Sequence, residues 1–244
     1  MIPARYGSTR LPGKALREIA GKSMLHRVYE RTSTADALSD VYIATDDGRI
    51  VEAVEAFGGR AIMTGADHLS GTDRLAEAAQ AVDADIVVNV QGDQPFIDPV
   101  MIDEAVQPLL DDPALPMATL MHPIHTPEEL ADPGVVKTVV DRKGYALYFS
   151  RALIPAPHTD HPHQVYEHVG LYVYTKAFLL EWAALPPTVY EQVESLEQLR
   201  VLEHGYRMKV VETHCADTAY SGFSVDTEDD LARAEAMLRE RGLE

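Results

Sequence analysis

Three cations stand within ten residues at the start of this chain: Arg5, Arg10 and Lys14. They are interleaved with Gly7, Ser8, Pro12 and Gly13. Glycine lets backbone N–H groups approach an anion closely, and a helix following such a loop adds its positive end. Arg and Lys side chains then neutralise phosphate oxygens. The chemistry this predicts is a cradle for a polyphosphate. A solvated charged loop is the alternative, but the cations stand out against a formal charge of −18. Gly21-Lys22-Ser23 resembles the end of a Walker loop, which fails because Leu16 occupies the position that needs glycine. No G-x-G-x-x-G dinucleotide fingerprint is present.

Two aspartates, Asp93 and Asp226, come from distant segments. Each alone reads as a turn or cap residue. Together with the cationic loop they suit Mg²⁺, which takes hard oxygen ligands and keeps waters and substrate phosphates. His168 opens the segment His168-Val-Gly-Leu-Tyr172. In a strand His168, Gly170 and Tyr172 share a face, either as a buried satisfied pair or as a place where something approaches. Arg74 and Arg151 are candidates for bidentate carboxylate binding or for surface ion pairs. Glu197 and Gln198 read as a solvated helix face. The histidines at 158, 161 and 163 lack the spacing and cysteines of a zinc site. Cys215, the only cysteine, reads as inert packing, excludes an internal disulfide and fits a reducing cytosol.

The elements that must position these residues alternate between strand and helix. Strand patterns cover 41–45, 60–63, 85–90 and 117–121, and helix patterns cover 50–57, 73–82 and 99–110, with an amphipathic stretch at 23–31. The apolar run at 85–90 reads as a buried parallel strand ending in Gln91-Gly92-Asp93. Close-spaced strands at 135–141, 146–149 and 169–174 predict an antiparallel insertion over about 135–185, covering the site and contributing to dimerisation. A helix is expected at 191–204, a strand at 207–213 and a last helix at 227–241, capped by Thr227. The expected fold is α/β: a doubly wound, mostly parallel sheet of Rossmann type, in a single domain over 1–244 with that insertion. The acidic balance argues against nucleic acid as a partner. No apolar run is long enough to span a membrane, and no leader is expected before Arg5.

Several segments, in order and spacing, resemble the CMP-Kdo synthetases (3-deoxy-manno-octulosonate cytidylyltransferases). They are Ile2 to Lys14, Ser70-Gly-Thr-Asp-Arg74, Val90-Gln-Gly-Asp-Gln-Pro95, Tyr145 to Arg151, His168 to Tyr172, Leu196-Glu-Gln-Leu-Arg200 and Val225-Asp-Thr227. The resemblance implies the GT-A-like nucleotidyltransferase fold, a cytoplasmic homodimer, and the reaction of CTP with Kdo to give CMP-Kdo and pyrophosphate for lipopolysaccharide assembly. It further implies that Arg5, Arg10 and Lys14 hold the CTP phosphates, that Asp93 and Asp226 bind Mg²⁺, and that Ser70 and Gly71 lie near the nucleotide. Arg74, Gln91, Arg151, His168, Tyr172, Glu197 and Gln198 would line the sugar-acid pocket. The family carries further apolar residues ahead of Ile2, so a short first strand is expected. Segments around Asp46, Asp93 and Val173 also resemble the subgroup that handles 8-amino-Kdo, or another 2-keto sugar acid is the acceptor. Other readings are a nucleotide-sugar glycosyltransferase, disfavoured because Asp83-Ala-Asp85 precedes its strand instead of following it, and a non-catalytic nucleotide-binding protein.

Overall fold

Short apolar runs, buried at Ile2 and Ala4 and throughout Ile43–Thr45, make the strands beside the cationic loop. A computed structural model describes residues 1–8 and 10–243. Thr9, inside the loop, and Glu244 lie outside the described residues. The chain forms two compact units, 1–103 with 215–244, and 104–214.

In the first unit, strands β1 (Ile2–Ala4), β4 (Ile43–Thr45) and β5 (Ala61–Met63) pair in parallel in the order β1-β4-β5. A fourth strand, β6 (Ile86–Asn89), runs beside β1: the Met1 nitrogen donates to the Val88 carbonyl at 2.6 Å and Val90 N–H donates to the Met1 carbonyl at 3.0 Å. Those bonds are in a parallel register. Ile2, Ile43 and Ala44 are fully buried, as strands covered on both faces require. Between these strands lie the two-residue strands β2 (Glu18–Ile19) and β3 (Lys22–Ser23) and the helices α1 (Met24–Thr32), α2 (Gly48–Ala56) and α3 (Gly71–Gln80). Helix α1 starts where the Ser23 side chain accepts from His26 N–H, and it buries Met24, Leu25 and Val28 along one face. Helix α4 (Pro99–Asp111) follows β6 and carries the chain into the second unit.

The second unit holds β7 (Met117–Pro123), α5 (Pro127–Ala131), β8 (Lys137–Val140), β9 (Ala146–Ser150), β10 (Tyr166–Thr175), α6 (Lys176–Trp182), α7 (Val189–Glu194), α8 (Leu199–Glu203) and β11 (Met208–Glu212). Its strands run in the order β11-β7-β10-β8-β9. Strand β11 is parallel to β7, and every other pairing in that series is antiparallel. The expected insertion over 135–185 falls inside this unit, which also takes in β7 and β11 because both are hydrogen-bonded into its sheet. The chain then returns to the first unit as α9 (Thr218–Ser221) and α10 (Glu228–Glu240). The last helix begins in a reciprocal capping box between Thr227 and Asp230, with three acids in its first turn facing the helix dipole. Leu231, Ala234 and Leu238 of α10 pack with Leu11, Ile19, Met24 and Phe96, so the cationic loop is seated on a core.

One expected element differs. The single helix at 191–204 is two helices, α7 and α8, because Ser195 takes a left-handed conformation at φ 53°, ψ 50°. That conformation ends a helix. Glu197 and Gln198 therefore sit in the connection between helices, and Gln198 is buried instead of solvated.

The end of β1 is held between two glycines. A Cβ on Gly92 would lie 2.8 Å from the Pro3 carbonyl oxygen, and one on Gly71 would lie 3.2 Å from Pro3 Cγ. The first contact is against backbone, which cannot swing aside. Gly92→Ala is therefore expected to destabilise the protein by about 1–3 kcal/mol, the usual cost of overpacking a tight site. A urea melt monitored by circular dichroism checks this, with a midpoint at or above wild type counting against the clasp.

Candidate active site

The cationic loop turns sharply at Gly13, whose φ of 65° is natural only for glycine. The Tyr6 ring lies against Gly13, with the Arg49 guanidinium 3.4 Å from the centroid of that ring. Asp47 caps α2 and takes both bonds of Arg49, which holds the Asp47 carboxyl down at about pH 2. Further along, Arg17 forms a two-pronged bond to Glu228 at 2.5 and 2.7 Å, tying the exit of the loop to the first turn of α10.

These anchors aim Lys14 at the two aspartates. Its Nζ lies 2.8 Å from Asp93 Oδ2 and 2.6 Å from Asp226 Oδ1. Arg10 meets the same Asp226 oxygen at 3.0 Å. Asp93 follows β6, and Asp226 precedes the N-cap of α10, with its own N–H given to Asp230 at 3.1 Å. The two segments are joined directly, since Val225 N–H donates to the Asp93 carbonyl at 2.9 Å. The two carboxylates thus converge on one cation-sized point from segments that are far apart in the chain.

Around them lies a cleft of about 370 Å³. Arg5, Arg10, Lys14, Ser70, Gly71, Arg74, Gln91, Asp93 and Asp226 all line it. Ser70 caps α3 and Gly71 opens it, so the first N–H groups of a ten-residue helix border the cleft. Arg74 reaches the wall but its guanidinium is engaged, with Thr64 Oγ1 at 2.6 Å and Asp46 Oδ2 at 3.1 Å. His68 also lines the cleft and was not singled out by sequence reasoning. It is bonded to Glu77, which also accepts the Gly65 N–H at 3.0 Å and so fastens the loop ahead of Ser70 to α3. Its place directly before Leu69-Ser70-Gly71, at a helix start, was the available signal.

The other five expected residues belong to the second unit. His168 and Tyr172 lie on β10, where the register slips between Val169 and Tyr172, and both reach Gln198. Thr119 has one hydroxyl hydrogen, shared by the Val169 and Leu171 carbonyls at 3.1 and 2.8 Å, so His168 Nε2 donates to Thr119 Oγ1 at 3.0 Å. Nδ1 then accepts from Gln198 Nε2 at 3.4 Å, and Gln198 Oε1 accepts from the Tyr172 hydroxyl at 3.2 Å. Burial lowers the His168 pKa to about 3 and raises that of Tyr172 well above its ordinary value, so one ring stays neutral and the other keeps its proton. Glu197 is half-buried beside Gln198. Arg151 is bonded to the Glu194 carbonyl at 2.7 Å and to the Pro133 carbonyl at 3.0 Å. The Glu191 and Arg200 side chains meet at 2.8 Å and tie α7 to α8. Thr119 and Glu194, which orient His168 and Arg151, carry no motif and were invisible in the sequence.

A family model described as cytidylyltransferase matches residues 1–212. The 3-deoxy-manno-octulosonate cytidylyltransferase of Syntrophotalea carbinolica is 52% identical over 248 residues, covering 98% of this chain and 97% of that one. That of Geobacter sulfurreducens is 50% identical, with 98% of each chain covered. This chain belongs to the 3-deoxy-manno-octulosonate cytidylyltransferase family. The solved structure of CMP:2-keto-3-deoxy-manno-octonic acid synthetase complexed with CTP matches with a TM-score of 0.92 and 46% identity, covering 98% of this chain and 97% of that one. The 4-diphosphocytidyl-2C-methyl-D-erythritol synthase of Anaerococcus prevotii, with a TM-score of 0.64 and 15% identity, shares the nucleotidyltransferase fold. The cytidylyltransferase is thus a nucleotidyltransferase of mixed α/β fold, as expected. No helix among its described residues is long and apolar enough to cross a membrane.

The neutral state of His168 has a measurable consequence. Because its pKa is lowered on folding, the unfolded chain binds the extra proton between about pH 3 and pH 6.5, the ordinary histidine value. The stabilising effect is complete above pH 6.5 and is lost as pH falls toward 3. Ring NMR of His168 should show no titration between about pH 5 and 8, the range in which an ordinary histidine titrates. The fall in stability below that range should be shallower in His168→Gln. A ring that titrates near its ordinary value would disprove the assignment.

Proposed function

We propose that this chain couples CTP to 3-deoxy-manno-octulosonate, giving CMP-Kdo and pyrophosphate. The observation that carries the reading is the meeting of Lys14 and Arg10 with Asp93 and Asp226 in a cleft bordered by the start of α3. The identity of about half to relatives of that name supports the choice of nucleotide and acceptor.

In this reading Arg5, Arg10 and Lys14 bind the triphosphate, and Ser70 with Gly71 lies near the nucleotide. For the sugar acid the family resemblance offers Arg74 and Gln91 in the first unit and Arg151, His168, Tyr172, Glu197 and Gln198 in the second; Arg74 and His168 are held by protein partners and act by positioning. The C2 hydroxyl of the acceptor attacks the α-phosphorus in line, its oxygen bonds to phosphorus, and the bond to the β-phosphate oxygen breaks. The hydroxyl proton passes to solvent. The cations stabilise charge on the leaving pyrophosphate, and positioning supplies much of the rate. His168 is neutral, buried and committed at both nitrogens, so it orients Gln198 and Tyr172 and takes no proton.

Asp93 and Asp226 fit Mg²⁺, since both already offer an oxygen to one cation within 2.8 Å. Among the described residues no group of three or more His, Cys, Asp or Glu side chains could hold a metal. A two-carboxylate site suits an ion that completes its shell with water and phosphate. When bound, Mg²⁺ would supply Lewis-acid stabilisation of phosphate charge. The lone cysteine supports a cytoplasmic setting. Exposed Leu147, Val189, Tyr190 and Val193 of the second unit support a homodimer.

Pyrophosphate release from CTP should require both Mg²⁺ and Kdo. Asp93→Asn and Asp226→Asn should each lower kcat by about two to three orders of magnitude, because each removes charge stabilisation worth several kcal/mol. Release with 8-amino-Kdo in place of Kdo would move the acceptor within the family. CTP binding without release from either acceptor would sink the catalytic reading.

A further inference from the structure

Lys14 occupies an unusual place for a phosphate-binding lysine. At the wall of the cleft, its ammonium is already taken by protein carboxylates. It bonds both carboxylates at once, at 2.8 and 2.6 Å, with its side chain only 14% exposed. A divalent ion shared by Asp93 and Asp226 would have to occupy nearly the same point, because its bonds to oxygen are shorter still, at about 2.1 Å for Mg²⁺. Ammonium and metal therefore exclude one another there by both size and charge.

We propose that Lys14 is a resident cation that keeps the metal site assembled and closed to divalent ions until a triphosphate arrives. The inference rests on the assignment of Asp93 and Asp226 as the metal ligands. Without ligand, and with Arg74 paired to Asp46, Arg5, Arg10 and Lys14 outweigh the two carboxylates by one charge. Adding a divalent ion alone would raise that local charge further and strand the ammonium in a nearly closed site. A triphosphate reverses the balance. Its oxygens give Lys14 a new anionic partner, and the carboxylates are released to the metal. The exchange needs only a side-chain rotation, because the backbone bond from Val225 to Asp93 already sets the spacing of the two acids. Metal capture is then conditional on nucleotide, and the two ligands bind with positive coupling.

Direct Mn²⁺ binding, followed by electron paramagnetic resonance in the absence of nucleotide, tests the proposal without relying on turnover. Lys14→Gln should bind Mn²⁺ at least about tenfold more tightly than wild type, since the competing cation is gone. Millimolar Mg²⁺ should raise the melting temperature of Lys14→Gln and leave that of wild type unchanged. Lys14→Arg, which keeps the charge, should bind Mn²⁺ no more tightly than wild type. Should Lys14→Gln unfold in metal-free buffer, refolding on addition of Mg²⁺ is the expected result, and failure to refold overturns the proposal. Equal or weaker Mn²⁺ binding by folded Lys14→Gln also overturns it. Failure of the function reading would appear separately, as wild-type protein that releases no pyrophosphate.

Discussion

One ammonium group joins three stretches of chain that folding must bring together. Lys14 lies 79 positions from Asp93 and 212 from Asp226, yet contacts both. Two carboxylates that face each other at close range without a cation repel. The layout of the first unit follows from meeting this demand. Gly13 turns the loop, Arg17 and Glu228 fasten its exit, the core under α10 seats it, and the Val225–Asp93 backbone bond fixes the acids.

Most of this was legible in the sequence because the chemistry there is local or strongly typed. Cations spaced by glycine and proline name a loop, an apolar run ending in Gly92-Asp93 names a strand end, and Thr227 before three acids names a helix start. The convergence of Asp93 and Asp226 was inferable only from their residue type, since nothing in their spacing places them together. What the sequence hid was decided by partners lying elsewhere in the chain. Arg74 looked free to bind a carboxylate, but Asp46 and Thr64 already hold its guanidinium in a nearly closed site.

The break between α7 and α8 shows the same limit. Periodicity at 191–204 supports one continuous helix, and helix propensity gives no reason to stop at Ser195. Tertiary context imposes the left-handed residue, and the Glu191–Arg200 ion pair ties the two halves together across it. A helix through that point would turn Gln198 to follow the helical repeat, whereas the break lets it dip beneath the surface and meet Tyr172 and His168.

The hydrogen bonds from Tyr172 through Gln198, His168 and Thr119 all point one way and end on the Val169 and Leu171 carbonyls. Reversing any single link leaves two donors or two acceptors facing each other. The series cannot relax by tautomer exchange or amide rotation one group at a time. This patch of the second unit is therefore stiff in a chemical sense as well as a packing sense, and its hydroxyl and ring hydrogens should trade places with those of water only when the whole series opens together.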